Sequence, residues 1–103
     1  MRLTTAQHHT IHRVVTEFFG PGARLLLFGS RTDDRRRGGD FDFYVEVSGL
    51  TAEEITQRSV QARSRLFRSQ AFAGRKVDLV IRDRDSDYRA EIYDVATRTG
   101  VVL

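Results

Sequence analysis

From Asp40 to Val47 the chain alternates between two kinds of side chain. Asp40, Asp42, Tyr44 and Glu46 fall on one parity, and Phe41, Phe43, Val45 and Val47 on the other. Successive side chains of a strand point to opposite faces, so this is the period of a β-strand and not of a helix. One face is apolar throughout and must be covered by a core. The other carries carboxylates at every second position but one. A chain with such a strand has to build a sheet with at least one further layer packed on it.

The flanking segments supply that layer. Ile11, Val14, Val15, Phe18 and Phe19 recur at i, i+3, i+4, i+7 and i+8, one face of an amphipathic helix. Gly20-Pro21-Gly22 stops it, because proline cannot continue a helix and glycine suits the turn. Arg24 to Phe28 is a short apolar run bounded by turn residues, which reads as a buried strand. Gly29 to Gly39 is a polar loop, and Phe41 to Val47 is the alternating strand, ended by Ser48-Gly49. Thr51 and Glu54 have the spacing of a capping box, opening a helix to about Ala71 with Ile55, Val60, Ala62, Leu66 and Phe67 inward. Gly74 breaks that helix. Lys76 to Ile81 is a third strand, and Asp85-Ser86-Asp87 offers an N-cap for a last helix with Ile92, Tyr93 and Ala96 on one side. Gly100 closes it and Val101-Val102-Leu103 forms an apolar tail. The expected fold class is α/β in the broad sense (α+β): a small mixed sheet flanked by helices, as one domain over residues 1–103.

Composition removes several classes of function. No apolar run exceeds Leu25-Leu26-Leu27-Phe28, far from the roughly 18–20 residues that span a bilayer, and no signal-type stretch follows Met1. The expected location is cytoplasmic with no membrane partner. With no cysteine, disulfides and thiolate metal sites are excluded. The net charge is +3, but 14 acids interleave with 17 bases, so there is no single-sign field that demands nucleic acid. Lys76 is the sole lysine; the other bases are arginines, suited to bidentate binding of phosphate.

Asp40 and Asp42, two apart on a strand, stand roughly 6–7 Å apart at Cα, so their oxygens can converge on one ion. Asp78 sits between Val77 and Leu79 in the third strand. An aspartate among apolar neighbours is costly to bury unless paired or metal-bound. If the two strands are neighbours, Asp40, Asp42 and Asp78 make an oxygen-rich cluster suited to Mg²⁺. Gly29-Ser30, directly after the first strand, offers backbone N–H groups and a hydroxyl to a phosphate, and Arg31, Arg35, Arg36 and Arg37 add charge for a polyphosphate.

Leu27-Phe28-Gly29-Ser30-Arg31, the nine-residue loop Arg31–Gly39, Asp40-Phe41-Asp42-Phe43 and Val77-Asp78-Leu79-Val80 together resemble the DNA polymerase beta-like nucleotidyltransferase superfamily. The short length resembles its minimal (MNT-type) branch. The resemblance implies a nucleotidyltransferase fold in which Asp40 and Asp42 hold two Mg²⁺ ions and the triphosphate. It implies that Asp78 completes the cluster and helps activate an acceptor hydroxyl, and that Gly29, Ser30 and Arg31 hold the triphosphate. The implied reaction is in-line attack of a hydroxyl on the α-phosphorus of ATP. MNT-type proteins often act as antitoxins of HEPN-type ribonuclease toxins, by binding the toxin or by transferring AMP to one of its tyrosines. This chain departs from the family's usual pattern in its shorter loop and in Gly39, where a polar residue commonly precedes the first Asp.

Two other readings compete: a non-catalytic antitoxin that neutralises its partner by binding, and a small-molecule nucleotidyltransferase, which usually needs a further helical domain. His8 and His12, four apart on the first helix, could hold a metal, but no third ligand is evident. Glu46 reads as a surface residue or as one that supports the aspartates from behind, and Tyr44 and Tyr93 as core edges or partner contacts.

Overall fold

The computed structural model describes residues 3–29 and 41–103. Seven elements follow in chain order: α1 (Thr5–Phe19), β1 (Arg24–Phe28), β2 (Phe41–Val47), α2 (Ala52–Arg68), β3 (Val77–Asp83), α3 (Glu91–Thr99) and β4 (Val101–Val102). The strands form one sheet in the order β3-β2-β1-β4. β1 runs antiparallel to both β2 and β4, whereas β2 and β3 are parallel. A parallel pair needs a crossover, and α2 is that crossover. The fold is the expected α+β domain with a mixed sheet.

Helix starts follow local chemistry. The Thr51 hydroxyl accepts the Glu54 N–H at 3.1 Å, and the Glu54 carboxylate accepts the Thr51 N–H at 2.9 Å. Thr4 and Gln7 build the same reciprocal cap on α1. The Gln7 side-chain amide then reaches across to donate to the Ala71 carbonyl at 3.0 Å, tying α1 to the turn after α2.

The apolar parity of β2 lies under α1 and α2. Phe41, Phe43, Val45 and Val47 pack there with Ile11, Val14, Val15, Phe19, Ala62 and Leu66. Each of the valine, leucine, isoleucine and phenylalanine side chains among them contributes on the order of 1.5–3 kcal/mol of apolar transfer free energy. The opposite face carries a smaller cluster of Leu26, Phe28, Tyr44 and Ala96, covered by α3. The sheet is therefore sandwiched between unequal helical layers.

Several expectations need correction. α2 stops at Arg68, because the Ser69 N–H and hydroxyl both donate to the Leu66 carbonyl and that hydroxyl then accepts the Phe72 N–H at 3.2 Å. This turn drives Phe72 into the core at 0% exposure, edge-on to Phe41 and Phe43, and leaves Phe67 62% exposed. Val60 is likewise exposed, so only Ala62 and Leu66 of the expected inner face are fully buried, with Ile55 partly so. β3 extends to Asp83. Asp85-Ser86-Asp87 forms a turn before α3, which is capped at Ala90 without a side-chain hydrogen bond. The apolar tail is a strand: Val101 and Val102 pair with Leu27 and Leu26.

Candidate functional site

One row of residues crosses three strands at the end of the sheet where β1 finishes and β2 and β3 begin. Phe28 pairs with Asp42, and Asp42 pairs with Asp78. Register partners point to the same side, so the two carboxylates share the face covered elsewhere by α3. Neighbouring strands are about 4.8 Å apart, which sets two like charges side by side. Such a pair repels unless a cation or proton comes between them. Asp78 lies on the outer strand and its side chain is 45% exposed, with the Lys76 ammonium 3.8 Å from its carboxylate. It is thus an open edge residue and not the buried aspartate that its apolar neighbours suggest.

Gly29 follows β1 directly and adopts φ +79°, a left-handed conformation that L side chains rarely take. A Cβ added there would strike the Asp42 carboxylate. The glycine therefore gives Asp42 the space over the chain's turn. Two register-matched carboxylates beside a positive-φ glycine offer two hard oxygen donors, and among the described residues no third His, Cys, Asp or Glu makes a metal-holding group with them. Of the residues singled out from sequence, the structure brings Gly29, Asp42 and Asp78 together at one end of the sheet. Ser30, Arg31, Asp40 and the arginines of the loop lie outside the described residues.

At the opposite end of the same face lies a row that sequence reasoning missed. Arg24 pairs with Glu46, and Glu46 pairs with Arg82. Glu46 is not a surface residue; it is 8% exposed. Its carboxylate accepts from the Tyr44 hydroxyl at 2.9 Å and from the Arg24 guanidinium at 3.3 Å, and Arg84 stands 4.0 Å away. Arg82 donates to the Tyr44 oxygen at 3.4 Å and lies over the Tyr93 ring. Tyr44 is fully buried, and desolvation pushes its hydroxyl pKa above the usual tyrosine value, a shift opposed by Arg82 and reinforced by Glu46. The signal available in sequence was parity: Glu46 shares a face with the buried Tyr44, two residues away. This network locks β1, β2 and β3 together and leaves the carboxylate end open.

His8 and His12 are stacked edge-on at 4.8 Å, and no third metal-ligating residue joins them among the described residues. No described helix is long and apolar enough to cross a membrane. No protein-family model matches the chain, and no curated protein matches it.

Proposed function

We propose that this chain is a Mg²⁺-dependent nucleotidyltransferase that moves AMP from ATP to a protein hydroxyl, a tyrosine of a HEPN-type toxin, as the antitoxin of a toxin–antitoxin pair. The observation that carries the reading is the register pairing of Asp42 with Asp78 beside Gly29. Asp40, two residues before Asp42, would complete the carboxylate set. Asp42 would hold metal and triphosphate, and Gly29, Ser30 and Arg31 would orient the phosphates. Asp78, on the open strand, would take the proton of the acceptor hydroxyl. The hydroxyl oxygen bonds to the α-phosphorus as the bond from that phosphorus to the β-bridging oxygen breaks, and pyrophosphate leaves. Bound Mg²⁺ would neutralise the phosphate oxygens and stabilise the leaving group. An acceptor on a second protein suits this site, because the Asp78 side chain is 45% exposed on the sheet face.

The test is incubation of the purified chain with Mg²⁺ and ATP labelled at the α-phosphate, in lysate from its source, beside an Asp42→Asn, Asp78→Asn variant. A protein band labelled from the α-phosphate but not from the γ-phosphate, and absent with the variant, supports transfer. Absence of label while a partner still co-purifies refutes it in favour of a non-catalytic binding antitoxin.

A further inference from the structure

The two edges of the sheet are unlike. β4 is two residues long, whereas β3 is a seven-residue edge strand with no strand on its outer side among the described residues. The hydrogen bonds at its ends fix which groups face outward. Phe41 N–H donates to the Lys76 carbonyl, and Arg84 N–H donates to the Val47 carbonyl. In a parallel ladder the even-numbered residues between them therefore bond to β2, and Val77, Leu79 and Ile81 direct their N–H and C=O groups to the free edge, while the Asp83 carbonyl accepts the Ser86 N–H. The Tyr93 hydroxyl touches the Ile81 carbonyl at 3.4 Å, and a carbonyl has a second lone pair. A long edge of this kind is a template for pairing with another strand.

We infer that the occupant of this edge is a second copy of the chain, its β3 antiparallel to the first about a two-fold axis at Val80. That register pairs Leu79 with Ile81 of the other copy through the outward backbone groups, on the face packed by α1 and α2. On the α3 face it sets Asp78 against Arg82 of the other copy, twice by symmetry. Neighbouring registers lose this complementarity. A two-fold at Leu79 opposes Lys76 to Arg82, and one at Ile81 opposes Leu79 to Asp83. At the rim, Asp83 and Asp85 of one copy come near Arg75 and Lys76 of the other. Arg84, which would oppose Lys76, is drawn back onto its own chain by the Gly22 carbonyl and Glu46. The Arg82 guanidinium donates to the Tyr44 oxygen and lies over the Tyr93 ring, which keeps its charge on the α3 face beside the edge. The sheets then join into one of eight strands, with an Arg82 from the other copy beside each Asp78. This inference does not depend on the proposed activity.

Sedimentation equilibrium of the wild-type chain, with and without Mg²⁺, reads the mass. The expected species is twice the 11.8 kDa of one chain, and Asp78→Arg, which sets like charges against Arg82, halves it. Because that variant must fold to be informative, amide hydrogen exchange of the wild type is measured in parallel. Leu79 and Ile81 amides gain protection as concentration rises through the association range, while Val80 and Arg82, bonded to β2, are protected throughout. A single-chain mass at every concentration overturns the inference and leaves the edge to an unlike partner. A dimer in which Leu79 and Ile81 exchange freely overturns it as well, by placing the interface elsewhere.

Discussion

Asp42 and Asp78 are register partners on adjacent parallel strands, so their carboxylates stand side by side on the same face of the sheet. Like charges directly across a ladder repel, and the Lys76 ammonium beside Asp78 offsets part of that repulsion. In the metal-free protein, Asp78→Asn is therefore expected to raise stability by up to about 1 kcal/mol. The wild type is expected to gain stability on adding Mg²⁺ and the variant to gain little or none. Thermal unfolding in EDTA and in Mg²⁺ measures both; equal Mg²⁺ stabilisation of the two proteins contradicts a metal role for the pair.

Gly29→Ala places a Cβ against the Asp42 carboxylate at a positive φ. The left-handed backbone costs a non-glycine residue about 1–2 kcal/mol, and the displaced carboxylate adds a local change at the site. The expected result is a modest loss of stability together with a loss of Mg²⁺ affinity of at least about tenfold, or about 1.4 kcal/mol. Calorimetric titration with Mg²⁺, compared with a Gly49→Ala control at another positive-φ glycine with open space around it, separates the two effects.

Removing the Glu46 carboxylate strips an acceptor from both Tyr44 and Arg24. Glu46→Ala is expected to cost about 1.5–3 kcal/mol, the range of hydrogen bonds to a charged group, and Tyr44→Phe about 1 kcal/mol. Urea unfolding of both single variants and the double variant gives the coupling between them. Strict additivity of the two losses would falsify the network as described.

Tyr44 is held protonated by burial, so its folded pKa lies above the unfolded value near 10. The stability that this shift represents is complete below pH 10 and is lost as pH rises toward and through the folded pKa. Wild-type stability should fall above pH 10 more steeply than that of Tyr44→Phe. Ultraviolet titration of the three tyrosines should show one ionising late, a component missing from the variant.

Phe72 and Phe67 make a pair of opposites. Phe72→Ala is expected to cost about 3–5 kcal/mol, as for a buried phenylalanine, while the exposed Phe67 tolerates alanine within about 0.5 kcal/mol. Denaturation midpoints of the two variants decide whether the chain after α2, and not the end of α2 itself, completes the core.

The sequence by itself determined the local pieces. The parity of β2, the apolar stripe of α1 and the capping box at Thr51 each rest on interactions within a few residues, and each stands in the fold where the residue pattern puts it. Asp42 and Asp78 could also be named as candidates, because an acid repeated on one strand parity and an acid inside an apolar strand both resist a purely structural reading. Tertiary structure decided everything that depends on which strands are neighbours. The parallel register of β2 and β3 brings Asp42 to Asp78, the same register carries Glu46 to Arg82, and the return of Val101-Val102 to β1 turns a tail into a strand. Ser69 ended α2 early and exchanged Phe67 for Phe72 in the core. The physical reason is range: helical and strand periodicities are local regularities of the backbone, whereas register, burial and electrostatic pairing between distant segments exist only once the sheet has closed around its core.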